Sequence, residues 1–266
     1  MAVPGKRVTA PASAPPALAD TELFSVDAYR DSFEATVVDV DRDNGRVRLS
    51  RTAFFPGGGG QPCDTGTLRS DAGELPVVRV RREPPDIWHY VDPAAVERIP
   101  GPGTELQGEL DWARRHLVMR THTALHILCG VIWSEYQIPV TGGNMDVGTG
   151  RLDFPLPSVS TELGVRLESR INEEIAFARD IVVEFLGRDL ADADPTLIRT
   201  AAHLIPREID PLRIIDIVGL DKQADGGTHV ASTAEVGRVR VVGTESKGRD
   251  NKRVRIRVED ADPDPM

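Results

Sequence analysis

Apolar and polar residues alternate in short runs between Phe33 and Leu110, over 33–40, 45–50, 75–81, 87–91 and 105–110. Turn-forming stretches such as RDNG and SDAG separate these runs, and the two-residue period predicts strands joined by tight turns. Many short strands without a helical period predict a small β-barrel. From Asp111 the period changes. Leu117, Ala124, Ile127, Leu128, Val131 and Ile132 follow helical spacing and predict a long helix over 111–136. A second helix is predicted within 160–180, where Leu163, Leu167, Ile171 and Ile175 recur every fourth residue after a Ser/Thr start. Strand-like runs at 181–186, 212–218, 234–243 and 253–258 follow. The predicted class is α+β: an N-terminal small β-barrel, then an α+β domain with an antiparallel sheet and one prominent helix. Residues 1–22 are Ala/Pro-rich without either period and are expected to be a disordered leader. Residues 23–110 form the barrel domain, 111–258 the second domain, and 259–266 an acidic tail.

Composition narrows the function classes. The 266 residues suffice for two domains. Two cysteines, Cys63 and Cys129, make no disulfide framework, and no apolar stretch follows Lys6 and Arg7 to form a signal peptide. A cytoplasmic protein is expected. No window approaches the roughly 20 apolar residues of a membrane helix. With 32 basic against 42 acidic residues the net charge is −10, which argues against a sequence-blind nucleic-acid coat. A local basic run at 246–257 remains, and by itself it reads as a solvated hairpin edge.

Two places carry candidate chemistry. His122 and His126 are spaced i, i+4 on the long helix, so both imidazoles share one face and can share a metal. The segment DGGTH adds Asp225 and His229, with Gly226 and Gly227 between them allowing the backbone to bend both side chains to one point. Three imidazoles and one carboxylate suit zinc, and an open position would make the site hydrolytic. Cys129 is a rival ligand, but seven residues place it about 10.5 Å along the helix from His122. It and Cys63 are expected to be packing residues. The run FFPGGGGQPCDTG, 54–66, holds four consecutive glycines that are costly to order, followed by Gln61 and Asp64.

Taken together, FFPGGGGQPCDTG, RTHTALH, RLDF (151–154), DGGTHV and ESKGRDNKRVRI, in this order over about 33–258, resemble the alanyl-tRNA editing family: the editing domain of alanyl-tRNA synthetase and its free-standing relatives. The resemblance implies a small barrel followed by an editing domain, one zinc ion, and hydrolysis of wrongly charged aminoacyl-tRNA. It implies catalysis by His122, His126 and His229, with Asp225 as the fourth ligand. The family pattern usually has Cys where this chain has Asp225, so either the carboxylate ligates through oxygen or three histidines hold the ion alone. The resemblance also implies a side-chain-free wall at Gly57, Gly58, Gly59 and Gly60, fixed by Gln61 and Asp64. Thr123, Gly226, Gly227 and Thr228 become candidate substrate contacts. Arg151 and Asp153 are expected to form a structural ion pair. The tRNA acceptor end would meet Arg114, Arg115, Arg120, Lys247, Arg249, Lys252 and Arg253. Seryl- or glycyl-tRNA(Ala) is the default substrate, and Asp225 makes a threonyl-type substrate, such as a threonine analogue like fluorothreonine, an alternative. Transfer of the aminoacyl group to an amine and a tRNA-binding module with a decayed metal centre are rivals.

Overall fold

The computed structural model describes residues 14–194, 196–197, 205–207, 209–248 and 251–260. The chain divides into two compact units: residues 1–58 with 62–116, and residues 59–61 with 117–266. Each is described in turn.

In the first unit, part of the stretch expected to be a disordered leader is ordered. Helix α1 (Pro16–Thr21) begins on a proline, whose fixed φ suits the first helical position, and α2 (Leu23–Val26) follows with all four residues buried. Main-chain bonds from Thr52 N–H to the Thr21 carbonyl and from Leu23 N–H to the Thr52 carbonyl fasten this segment. The strands are β1 (Ser32–Asp41), β2 (Arg46–Leu49), β3 (Gly66–Ser70), β4 (Gly73–Glu83), β5 (Asp86–Val91) and β6 (Glu105–Leu110). They close into a six-stranded antiparallel barrel in the order β1-β2-β5-β4-β3-β6. Strict alternation in β6 puts Leu106, Gly108 and Leu110 inside. Phe33, Val37, Val47, Leu68, Leu75, Val77 and Val91 fill the interior with them, each large side chain stabilising by about 1.5–3 kcal/mol. Strand β3 carries a single apolar side chain, Leu68, so no alternation announced it; its pairing with β4 and β6 nevertheless completes the barrel.

Arg115, expected at a tRNA face, is instead fully buried in this unit. Its guanidinium bonds Asp64 and donates to the Ala28 carbonyl at 2.9 Å and the Ala53 carbonyl at 2.5 Å. Asp64 also accepts from Phe55 N–H at 2.6 Å. The pair is internal scaffolding, because a guanidinium with no exposed surface cannot meet a phosphate.

The division between units falls inside α3 (Trp112–Tyr136), a 25-residue helix whose first turn is capped by Asp111 Oδ1 accepting from Arg114 N–H. In the second unit its Val118, Met119, Ala124, Leu125, Ile127, Leu128, Val131 and Ile132 are all buried, the signature of a helix enclosed on most sides. The remaining elements are β7 (Gly142–Asp146), β8 (Thr149–Phe154), α4 (Thr161–Ala176), β9 (Ile181–Leu186), α5 (Arg188–Asp192), β10 (Leu212–Ile217), β11 (Asp221–Ala224), β12 (Arg238–Ser246) and β13 (Lys252–Glu259). They form an antiparallel three-stranded sheet, β11-β10-β9, and a four-stranded one, β12-β13-β8-β7. Helix α4 is locked to β12 by Asn172, which donates to the Val239 carbonyl and accepts from Val239 N–H. RLDF lies on β8, where Arg151 and Asp153 are paired at 3.1 Å and Asp153 also takes Arg253 in a two-point bond. Residues 233–236, partly expected as strand, make a 3₁₀ turn because Ser232 and Glu235 form a capping box. Among the described residues no helix is long and apolar enough to cross a membrane.

Candidate metal centre

The centre lies within the second unit. Helical spacing puts His122 and His126 one turn apart on α3, their ring centroids 5.1 Å apart. The segment after β11 supplies the rest: His229 stacks on His122 at 4.4 Å and meets His126 edge-on at 4.8 Å. His122, His126, Asp225 and His229 offer ligand atoms that all lie within 4.8 Å of one another, in a largely buried setting. Neither cysteine belongs to the group.

Each imidazole is held from behind. His122 Nδ1 lies 2.9 Å from Gln61 Oε1, His126 Nδ1 lies 2.9 Å from Asp221 Oδ2, and His229 Nδ1 lies 3.2 Å from Thr123 Oγ1. Gln61 Oε1 already accepts from Thr228 N–H, and Asp221 is a carboxylate, so both behave as acceptors of an imidazole Nδ1–H. That tautomer leaves Nε2 with its lone pair, as metal-binding imidazoles require. The Nε2 atoms of His229 and His122 stand 3.1 and 3.7 Å from the two oxygens of Asp225. Three imidazole nitrogens and a carboxylate therefore fit a borderline divalent ion.

Electrostatics reinforce the arrangement. Burial lowers the His122 pKa to about 4 and, with the charge of His122, carries His229 well below its ordinary value. Burial also acts against charge on His126, but the Asp221 hydrogen bond and charge, joined by Asp225, raise it. Asp225 resists the desolvation that would raise it, because the three imidazoles hold it well below the usual carboxylate range. Beneath the loop runs Arg213, whose Nη1 donates to the carbonyls of Asp225 at 3.0 Å and Gly227 at 2.7 Å. Burial brings that guanidinium down to about 10.

Several expected contacts take different places. Thr123 and Thr228 are fully buried and bonded to His229 and Gln61 respectively. Gln61 is likewise enclosed. Gly227 is needed for close approach, since a Cβ there would sit 2.4 Å from His122 Cε1, whereas at Gly226 no described residue beyond its chain neighbours comes within 4 Å of a Cβ. Gly57, Gly58, Gly59 and Gly60 have φ of 79, 130, 58 and 89°, a continuous left-handed run that only glycine adopts without strain. Gly57 and Gly58 count with the first unit, as do Asp64, Arg114 and Arg115.

Of the expected basic patch, Lys252 is buried and donates to the Gly248 carbonyl, because its side chain turns back over the hairpin. Arg253 is committed to Asp153, and Arg120 bonds the Val236 and Glu259 carbonyls and Asp260. Arg114 donates to the Cys63 carbonyl, and Lys247 pairs with Glu245 at 2.7 Å. Arg249 lies outside the described residues.

The sequence reading missed Asp221, Gln223 and Arg213. Gln223 Nε2 donates to both oxygens of Asp221, at 3.0 and 2.8 Å. The available signal was DKQAD itself: in a strand, Asp221 and Gln223 share one face, and both are buried.

Residues 212–255 match the family model described as the second additional domain of threonyl and alanyl tRNA synthetases. That span runs from β10 into β13 and holds Asp221, Asp225 and His229. The alanyl-tRNA editing protein AlaX-M of Methanosarcina barkeri is 36% identical over 234 residues, covering 87% of this chain and 96% of the relative. AlaX-M of Saccharolobus solfataricus is 35% identical over 235 residues, covering 88% and 96%. The alanine–tRNA ligase of Pyrobaculum neutrophilum is 35% identical over 225 residues, covering 83% of this chain but 25% of the ligase.

Proposed function

This chain belongs to the alanyl-tRNA editing proteins of the free-standing AlaX-M type, and from that premise we propose that it is a zinc-dependent aminoacyl-tRNA deacylase. Its proposed reaction is hydrolysis of the ester joining a wrong amino acid to the terminal ribose of tRNA(Ala), with serine and glycine as the amino acids removed. One observation carries the metal reading: the Nδ1 of every imidazole is engaged, and the ligand atoms of His122, His126, Asp225 and His229 lie within 4.8 Å of one another.

His122, His126, Asp225 and His229 would hold the ion, which when bound supplies Lewis acidity toward the ester carbonyl. The protein groups do the rest. His122 and His229, kept neutral by burial, present lone pairs at neutral pH, and Asp225 stays ionised to balance a divalent charge. Gly226 leaves open space beside Asp225 that a bound aminoacyl group can occupy. Gly59 and Gly60 offer backbone N–H groups without side chains to exclude the terminal adenosine. Lys247, whose pair with Glu245 is solvent-exposed and weak in the turn between β12 and β13, and Arg249 are the members of the basic run assigned to phosphate, which makes binding salt-dependent.

The test is release of amino acid from Ser-, Gly-, Ala- and Thr-tRNA by zinc-loaded protein, with product analysis. Free serine or glycine, lost on chelation and restored by zinc, supports the proposal. Release of threonine alone would move the substrate to the threonyl type. An amide product would replace hydrolysis by transfer, and bound tRNA without turnover would replace the enzyme by a binding module.

A further inference from the structure

We propose that Gln61 is a positioning residue that makes metal binding and the placement of the glycine segment one event. It rests on the metal-centre reading above and goes beyond it, because it assigns a coupling rather than a ligand.

The geometry is specific. The Gln61 side chain is 3% exposed. Its Oε1 accepts from His122 Nδ1–H at 2.9 Å and from Thr228 N–H at 3.0 Å, filling both lone pairs of the amide oxygen. Its Nε2 donates to Thr228 Oγ1 at 3.0 Å. One side chain thus spans three separate pieces of chain: the 59–61 segment, helix α3 and the loop between Asp225 and His229. The same segment is tied at its backbone, where the Gly60 carbonyl accepts from Met145 N–H at 3.2 Å. Nothing slack remains around Oε1, since a Cβ on Gly227 would lie 2.5 Å from it.

Two consequences follow from this clamp. By accepting from Nδ1–H, Gln61 fixes the tautomer and ring direction of His122, so its loss costs metal affinity. By the same bond, a metal that immobilises His122 also immobilises Gln61 and the two glycines before it. Such coupling is reciprocal: whatever orders the glycine segment must tighten metal binding by the same factor. The amide oxygen of Gln61 has no lone pair left for substrate. Its effect on catalysis runs through His122 and the glycine backbone.

The experiment uses the full chain with zinc chloride alone as the probe, measuring affinity by chelator competition and amide exchange with and without zinc. In the wild-type protein zinc slows exchange at Gly59–Gln61 as well as at Thr228–Val230. Gln61→Met, isosteric but without an acceptor, loses zinc affinity by about 10- to 100-fold, and zinc no longer slows exchange at 59–61. Gln61→Glu, which keeps an acceptor on His122 Nδ1, stays close to wild type in affinity. Wild-type affinity in the Met variant overturns the proposal. So does equal loss in both variants with a matching fall in the melting temperature of the zinc-free protein, which is the mark of a merely structural residue. Should the Met variant not fold, the wild-type exchange decides: 59–61 amides indifferent to zinc refute the coupling. None of these readouts needs turnover, so a protein that binds zinc as described yet deacylates nothing fails the proposed function and leaves the coupling standing.

Discussion

Two adjacent glycines should respond oppositely to the same added methyl group. A Cβ on Gly227 falls 2.4 Å from His122 Cε1 and 2.5 Å from both His122 Nδ1 and Gln61 Oε1. Carbon atoms pack at about 3.5 Å, so His122 or the loop must yield by about 1 Å. Neither moves freely, because Gln61 holds the ring and Arg213 holds the loop carbonyls. Overpacking of this kind costs about 1–3 kcal/mol of stability. A shift of about 1 Å in a group that orients the chemistry costs about 100-fold in rate, equivalent to about 2.7 kcal/mol. Gly226, one residue earlier, has no atom of the described residues beyond its chain neighbours within 4 Å of its Cβ position and no left-handed φ. Gly227→Ala should therefore lose zinc on dialysis and fall about 100-fold in deacylation, while Gly226→Ala keeps full zinc stoichiometry. Metal analysis and initial rates on both variants decide. Normal zinc and normal rate in Gly227→Ala would refute the close-packed geometry, and zinc loss in Gly226→Ala would refute the claim that this side is open.

Three further predictions concern residues around and away from the centre. Asp221→Asn converts a charge-assisted bond to His126 into a neutral one, a difference of about 1–2 kcal/mol; chelator competition should show about 5- to 30-fold weaker zinc binding, and unchanged affinity would remove Asp221 from the centre. His89 is buried in the barrel with a pKa lowered to about 4 by burial. Its folded value lies below the unfolded 6.5, so its stabilisation is complete above pH 6.5 and is lost as pH falls toward 4, to a total of about 3 kcal/mol. Urea unfolding at several pH values should show this slope, and His89→Gln should flatten it. Arg115→Ala strands Asp64 in the interior and should cost about 3–5 kcal/mol of stability; a variant of normal stability with weakened tRNA binding would return Arg115 to the surface role.

How far the sequence exposed all this depended on the kind of signal. The two-residue period of β1, β4 and β6 and the heptad-like apolar density of α3 are long patterns, so the barrel and the metal helix were visible. His122 and His126 were legible because helical spacing alone sets them on one face, and DGGTH because its ligands are close in the chain. Strand β3, with only Leu68 pointing inward, was hidden because its neighbours in the barrel, not its own residues, make it a strand. The bracing residues were harder still. Gln61 stands 61 residues before His122, and Asp221 stands 95 after His126; only the fold makes such pairs neighbours. Charge misled in the opposite direction. Arg115, Lys252 and Arg253 read as cations for phosphate, but burial or a carboxylate partner already absorbs each of them. A linear charge count cannot register a partner such as Asp153, 100 residues away from Arg253.

The central claim, that three imidazoles and the Asp225 carboxylate bind one ion without sulfur, is tested most directly by zinc-edge X-ray absorption on the purified protein. The account predicts one zinc per chain with nitrogen and oxygen neighbours at about 2.0–2.1 Å, imidazole scattering from three rings, and no sulfur near 2.3 Å. A sulfur neighbour, or fewer than three imidazoles, would contradict it.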